Sequence, residues 1–338
     1  MRFLPLFLLV ACPGKPVDED DTSVFEDSDS DTDSDTDSDT DSDTDSDTDT
    51  DTDTDTDTDT DPVLTDITFA VSSLAITTRE TAVFTATGTY DDGSSTDMTA
   101  SATFVSSDVS VLKLYDPSVG QPLWEGTATV TATLATWSET FDVTVTVVDA
   151  AAGDLVFNEV LADGLVDGDP NEDGSQDNVE DEFVEIANYS DVTVDLSGVT
   201  VTEEDFPGLP RHTFADGTWL RAGEAIVVFG GGDLGAMSAT NATFVLAEND
   251  DPGLQYGLSL LDAGESVALI AADGSTITTM AYGDSTTPAV SDASYVIDPD
   301  VYGTSGWTHH FYATGSSTSF SPGTYIDGSG FPGPDGRY

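Results

Sequence analysis

Basic residues are scarce in this chain: seven Lys and Arg stand against 66 Asp and Glu in 338 residues, a formal net charge of −59. Binding nucleic acid by neutralising phosphates takes a basic face, and the few basic side chains do not cluster, so nucleic acid is excluded as a direct partner. Cysteine is nearly absent as well. Cys12 is the sole thiol, which excludes an internal disulfide. Histidine is limited to His212, His309 and His310. Adjacent strand residues point to opposite faces, so His309 and His310 do not both ligate one metal without a bulge, and packing beside Trp307, Phe311 and Tyr312 explains them better. No G-x-S-x-G elbow, zinc signature or phosphate loop is present, and paired acids such as Glu203 and Glu204 carry little weight in so acidic a chain. These absences argue against an enzyme. The apolar run of residues 3–11 is too short to span a bilayer.

What is present divides by region. Residues 1–61 hold 23 of the acids, which leaves 43 acids against five basic residues and a net −38 on the remainder. Such a surface suits a protein working in saline or calcium-rich fluid; simple solubility accounts for it equally well. Arg2 followed by the apolar run reads as an export signal over residues 1–11. The run ends in Leu9-Val10-Ala11-Cys12, which resembles the lipobox of bacterial lipoproteins, and the resemblance implies cleavage before Cys12 and its acylation. The competing reading is a coincidental Cys in an ordinary secretory signal. Pro13 after Cys12 points by the same resemblance to the outer membrane or cell surface, with the membrane as partner through the lipid anchor.

From Asp27 to Asp61 every odd position is Asp and every even one Ser or Thr. With nothing apolar to bury and a charge at every second residue, ordering this tract gains nothing against its entropy, so residues 12–62 are expected to be a disordered linker. Fully extended, they reach at most roughly 170 Å. A spacer is the simplest role; weak calcium condensation and glycosylation of the hydroxyls are the alternatives.

After Pro62 the pattern becomes alternating β-branched and polar residues with frequent turns, which predicts an all-β fold. Over residues 63–149 about seven short strands fit a β-sandwich. The segments "FTATGTYDDGSSTDMTASATF" and "GTATVTAT…FDVTVTV" resemble bacterial immunoglobulin-like domains of group 2 over residues 64–148. Residues 113–124 depart from that pattern. The resemblance implies a spacing or adhesive role.

A short joint at residues 150–153 leads to a second, larger β pattern over 153–327, and residues 328–338 read as a flexible tail. The segments "LVFNEVLAD", "DEFVEIANYSDVTVDLSGVTVTEE", "FADGTWLRAGEAIVVFG", "LSLLDAGESVALIAADGSTITTMAYG" and "SPGTYI" resemble the lamin-tail domain, an immunoglobulin-like fold, over residues 153–326. The whole is thus expected to be two immunoglobulin-like β-sandwiches in tandem behind a signal peptide and an acidic linker. Residues 231–256 and 285–310 fit loosely and read as loops. Glu159, Glu182 and Glu185 sit at positions the resemblance favours, as outer partners of a metal loop or as solvent-facing strand residues.

One stretch carries spacing rather than composition. Asp169, Asn171 and Asp173 alternate, Gly174 permits a sharp bend, and Glu180 falls where a bidentate carboxylate closes a loop; D-x-[DN]-x-[DN]-G-x5-E is satisfied. Hard cations take several oxygen ligands on such a loop, so structural calcium is expected on Asp169, Asn171, Asp173, Asp177, Glu180 and the Ser175 carbonyl. Pro170, Gln176 and the absence of helical flanks place the loop on strands. The bland alternative is a solvated acidic hairpin. The chain reads as a non-enzymatic, surface-anchored lipoprotein for display or adhesion. The alternatives are an adhesin whose aromatics, such as Trp219, Tyr256, Trp307 and Tyr312, meet an extracellular protein or glycan, and an accessory protein to an extracellular hydrolase. Nothing in the sequence fixes an oligomeric state.

Overall fold

The computed structural model describes residues 61–162, 168–203, 209–248, 257–283, 293–303 and 306–334. Cys12, the export signal and the Asp repeat through residue 60 lie outside them. Apart from three single-turn 3₁₀ segments, every regular element among the described residues is a strand. None of these elements is a helix long and apolar enough to cross a membrane.

The first sandwich follows from period-two patterning. One sheet runs β1 (Leu64–Val71), β3 (Ala82–Tyr90), β7 (Val119–Pro122) and β6 (Leu112–Asp116), with β4 (Ser95–Asp97) on β3. The facing sheet runs β2 (Ala75–Thr77), β9 (Trp137–Thr146), β8 (Gly126–Leu134) and β5 (Thr103–Ser106). In β3, Ala82, Phe84 and Ala86 are fully buried and Val83 and Thr85 between them face out; Ala128, Val130 and Ala132 of β8 meet them across the core. Residues 113–124, where the sequence departs from the immunoglobulin-like pattern, form most of the β6–β7 hairpin.

The second body of sheet holds the candidate site. Its larger sheet runs β18 (Ala242–Leu246), β17 (Ala225–Phe229), β12 (Phe183–Asn188), β11 (Leu155–Leu161), β21 (Tyr295–Ile297) and β22 (Trp307–His309). The facing sheet runs β15 (Pro210–Thr213), β14 (Thr200–Glu203), β19 (Ser266–Ile270) and β20 (Thr276–Ala281). Strands β12 and β17 are buried on both faces. Val184 and Ile186 point into the inter-sheet core. On the back, Phe183 packs with Leu161, Val227 and Phe229, and Ala187 packs with Ala225 and Phe331. Residues 293–334 supply that back layer. The segment expected to be a flexible tail is therefore packed as far as residue 334: Phe331 is buried, its carbonyl accepts the Asn241 amide at 2.7 Å, and Gly333 N–H reaches Gly223 O at 3.0 Å. Residues 231–256 and 285–310 also differ from expectation, because β18, β21 and β22 fall in them.

Residues 60–338 make one compact unit. The two bodies of sheet are joined by hydrogen bonds. Strand β10 (Val148–Asp149) pairs in parallel with β13 (Val194–Asp195), which pairs in turn with β16 (Trp219–Leu220). Beside it Thr78 Oγ1 donates to Thr193 O at 2.9 Å, Thr193 Oγ1 donates to Leu123 O at 2.6 Å, and Arg79 pairs with Asp154 at 2.7 Å. Trp124 meets Trp219 edge to face, with centroids 4.9 Å apart.

Candidate metal centre and buried carboxylates

The acidic loop is built on a run of glycines. Beyond β12 and β17 the chain keeps pairing: Gly230 N–H donates to Glu182 O at 2.7 Å and Gly231 N–H to Glu180 O at 3.0 Å. A Cβ on Gly230 would lie 1.9 Å from Val179 O, so only glycine lets the loop's backbone come this close. Asn171, almost fully buried, points its amide at Gly231 O, and a Cβ on Gly232 would meet that amide and Asp173 Oδ2.

Within the loop the carboxylates hold the backbone in a tight turn. Asp169 accepts the N–H groups of Asp173 (3.1 Å) and Gly174 (2.6 Å), Asn171 Oδ1 accepts Asp173 N–H at 3.1 Å, and Asp173 Oδ1 accepts Ser175 N–H at 2.8 Å. Asp177 Oδ1 accepts Val179 and Glu180 N–H, and these bonds keep its carboxyl below the usual range. Each carboxylate oxygen that accepts one such bond retains a second lone pair. Glu180, expected to close the loop, is exposed, with its side chain lying along Gly231. Asp181 is fully buried instead. Its Oδ2 accepts Asp177 N–H at 2.7 Å, while Oδ1 has no hydrogen-bond partner. Burial first, then the charges of Asp169 and Asp173, push the Asp181 carboxyl up to about 6. In this arrangement no three His, Cys, Asp or Glu side chains among the described residues are gathered closely enough to hold a metal ion.

Glu159, Glu182 and Glu185 do not face solvent, contrary to one expectation, and all three are buried. Glu159 and Glu185 lie opposite each other on β11 and β12, on the back face that the C-terminal segment covers. Ser294 Oγ and Ser321 N–H donate to Glu159 Oε1, and Ser321 Oγ donates to Oε2. Glu185 accepts from Asn158 Nδ2 at 2.8 Å and from Gly323 N–H at 2.6 Å. Asn158 also donates to Asp300 and accepts Val301 N–H, and Asp300 accepts Ile326 N–H. Burial is the main reason that the Glu159 carboxyl is raised to about 7; burial and then the Glu159 charge raise Glu185 well above the carboxylate range. Glu182 faces the other sheet. It accepts Leu260 N–H at 3.2 Å, and burial lifts it to about 9. Each carboxylate oxygen of Glu159 and Glu185 accepts at least one hydrogen bond from the protein, so they serve as a clamp on residues 294–326 rather than as outer partners of the loop.

The histidines pack. His310 is enclosed by Ser316, Thr318 and Ser321, His309 lies against Tyr295 and Phe311, and His212 accepts Glu248 N–H while burial lowers it to about 4. Trp219 and Trp307 are half-buried, Tyr312 is exposed, and Tyr256 lies outside the described residues.

Residues 149–284, which include the acidic loop, β11 to β20 and both faces of the larger sandwich, match the family model described as Lamin Tail Domain. This part of the chain is similar to the lamin tail family. The clamp residues 294–326 and strands β21 and β22 lie past the matched span, and they complete the back face of the larger sandwich. Two solved structures are among those that match. One is described as "Structure of the S-layer protein SbsC, domains 5-6", at 15% identity, with 65% of this chain and 96% of that chain covered and a TM-score of 0.21. The other is "Structure of surface layer protein SbsC, domains 4-9", at 18% identity, 65% and 31% coverage and a TM-score of 0.20. Scores this low support no conclusion about shape or function. No curated protein matches.

Proposed function

We propose that this protein is a non-enzymatic display module of the bacterial cell envelope: a lipid anchor at Cys12, an acidic spacer through residue 62, a bacterial immunoglobulin-like domain of group 2, and a lamin tail domain with structural calcium in the loop of residues 169–180. The observation that carries the reading is the joint. Strand pairing between β10 and β13, with the buried Thr78 and Thr193 bonds beside it, makes one stiff body out of two sandwiches. A stiff body on a long self-repelling spacer suits presentation at a distance from the membrane. An acylated Cys12 would supply the attachment.

The test is fractionation of cells making the full chain. Wild type should partition with membranes and incorporate labelled palmitate. Cys12→Ser should appear in the soluble fraction or accumulate unprocessed; a Cys12→Ser protein that fractionates and labels like wild type would sink the anchor.

A second reading, an adhesin for a glycan or an extracellular protein, is favoured by one cavity. About 510 Å³ is lined by Val109, Ser110, Lys113, Leu123, Trp124, Arg221 and Pro334, which brings two of the chain's seven basic residues and an indole ring to one cavity. Arg221 lies over Trp124 at 5.7 Å. Screening the full chain against acidic saccharides and surface proteins in calcium separates the two readings, since pure display requires no such ligand.

A further inference from the structure

Of the seven Lys and Arg in the chain, Lys113 and Arg221 line one cleft of about 510 Å³ where the two sandwiches meet. Among the described residues the other two are committed elsewhere: Arg79 pairs with Asp154 in the joint, and Arg211 is buried against Glu203. Leu123 and Trp124 enter the cleft from the first sandwich and Pro334 from the second. These walls are fixed from outside it. Thr193 Oγ1 donates to Leu123 O at 2.6 Å, Trp219 meets Trp124 edge to face, and Gly333 N–H donates to Gly223 O at 3.0 Å, which seats Pro334. The cations are placed as well. Lys113 Nζ lies 4.6 Å from the centre of the Tyr115 ring, and Arg221 lies over Trp124 at 5.7 Å. Glu224 engages one Nη of Arg221 at 2.6 Å, but a guanidinium carries five N–H donors and one ion pair does not exhaust it. A cleft of this volume, with apolar walls and a few placed polar groups, has the usual form of a small-ligand site.

Charge selects the ligand. Lys113 and Arg221 call for an anionic group, and the fork of a guanidinium matches a carboxylate. The surface around them, net −38 over residues 62–338, repels any ligand that carries many charges. One carboxylate on a neutral body satisfies both. Val109, Ser110 and Arg221 are exposed, so the rest of the ligand stays partly hydrated, as the hydroxyls of a sugar require and an acyl chain does not. We propose that this cleft binds a terminal carboxylated sugar of an otherwise neutral glycan, with Arg221 and Lys113 on the carboxylate and Trp124, Leu123 and Pro334 against the C–H faces of the ring. The inference rests on the adhesin reading above and names its site and ligand. Because the walls come from both sandwiches, a bound sugar bridges the joint.

The test is titration of the full chain with methyl glucuronide, followed by tryptophan fluorescence and calorimetry, against methyl glucoside, a galacturonate trimer and an alternating Asp-Ser peptide. Wild type should bind methyl glucuronide and prefer it to the uncharged glucoside and to both polyanions. Lys113→Gln and Arg221→Gln should each weaken that binding by about fivefold, the size of one solvent-exposed ion pair. Lys113 takes no part in the β10–β13 pairing, so Lys113→Gln should melt as wild type does and keeps the test decisive if Arg221→Gln disturbs Trp124. Methyl glucuronide bound equally well by both variants would overturn the site and leave the adhesin reading standing. Equal binding of methyl glucoside would overturn the role of the carboxylate, and tighter binding of the Asp-Ser peptide would overturn the sugar. Failure of wild type to bind any of these probes would overturn this inference, while the adhesin reading then turns on the wider screen of saccharides and surface proteins.

Discussion

Single buried carboxylates set how this protein should respond to pH. Glu159, Glu182 and Glu185 are all raised in the folded chain, to about 7, to about 9 and well above the ordinary range respectively, with burial as the leading cause. A carboxyl with a raised folded pKa holds more protons in the native state than in the unfolded one, so stability is greatest below the unfolded value near 4.5 and declines as pH rises through the folded value. In chelator the melting temperature should therefore fall steadily between pH 5 and pH 8. Glu159→Gln should flatten the part of that slope that ends near pH 7 and change stability at pH 5 by no more than about 1 kcal/mol, since Ser294 and Ser321 can turn their hydroxyls to suit an amide. A rising melting temperature over the same range would mean that the lowered histidines, His212 and His310, dominate instead. His212 works in the opposite sense: burial takes it down to about 4 while the unfolded imidazole keeps its ordinary value near 6.5, so its contribution to stability rises between pH 5 and about pH 7.

At the scale of elements, the strands that could be read from sequence are those with one wet face or an unbroken apolar run. β3 and β8 alternate, and β17 and β19 appear with the bounds their apolar runs suggest. What was not legible has a shared physical cause, which is burial by distant chain. Glu185 reads as an outward strand residue between Val184 and Ile186, but its face is covered by Gly323 and its neighbours, 138 positions away. β21 and β22 are three residues each, too short for a period to show. β18 pairs in parallel with β17, with most of its residues half-buried and no alternation to read. In the acidic loop the spacing D-x-[DN]-x-[DN]-G was readable, whereas the burial of Asp181 and the exposure of Glu180 were not, because they depend on the close approach of Gly230 and Gly231 from distant chain. The C-terminal cover can be tested directly. Ending the chain at residue 318 would expose Glu159, Glu185, Phe183 and Phe229 by removing Phe320, Ser321, Ile326 and Phe331; several buried polar groups and an apolar layer are uncovered at once. Such a chain should fail to give a cooperative melt although it contains the whole matched lamin tail span. A truncated chain that melts like wild type would show that the cover is dispensable.

For the molecule as a whole, the question is whether the two sandwiches unfold together. Thr78 is buried, donates to Thr193 O at 2.9 Å and accepts Val148 N–H at 3.3 Å, so Thr78→Val leaves two backbone groups of the joint without that partner at nearly constant side-chain volume. The expected cost is about 1–3 kcal/mol. Calorimetry should show one transition for wild type and two for the variant, because the coupling that makes the bodies cooperative is lost while each core stays intact. Two transitions already in wild type would mean that the joint is a contact rather than a weld.

That joint also determines what tension does to the protein. Residue 147 alone separates β9 of the first sandwich from β10, and β10 is hydrogen-bonded sideways to β13. A pull transmitted along β10 against β13 loads their bonds in shear, so they yield together and not one by one as in a hairpin opened from its end. A tethered body dragged by flow or by a bound partner would thus load the link between the sandwiches across all its bonds at once and not at one end.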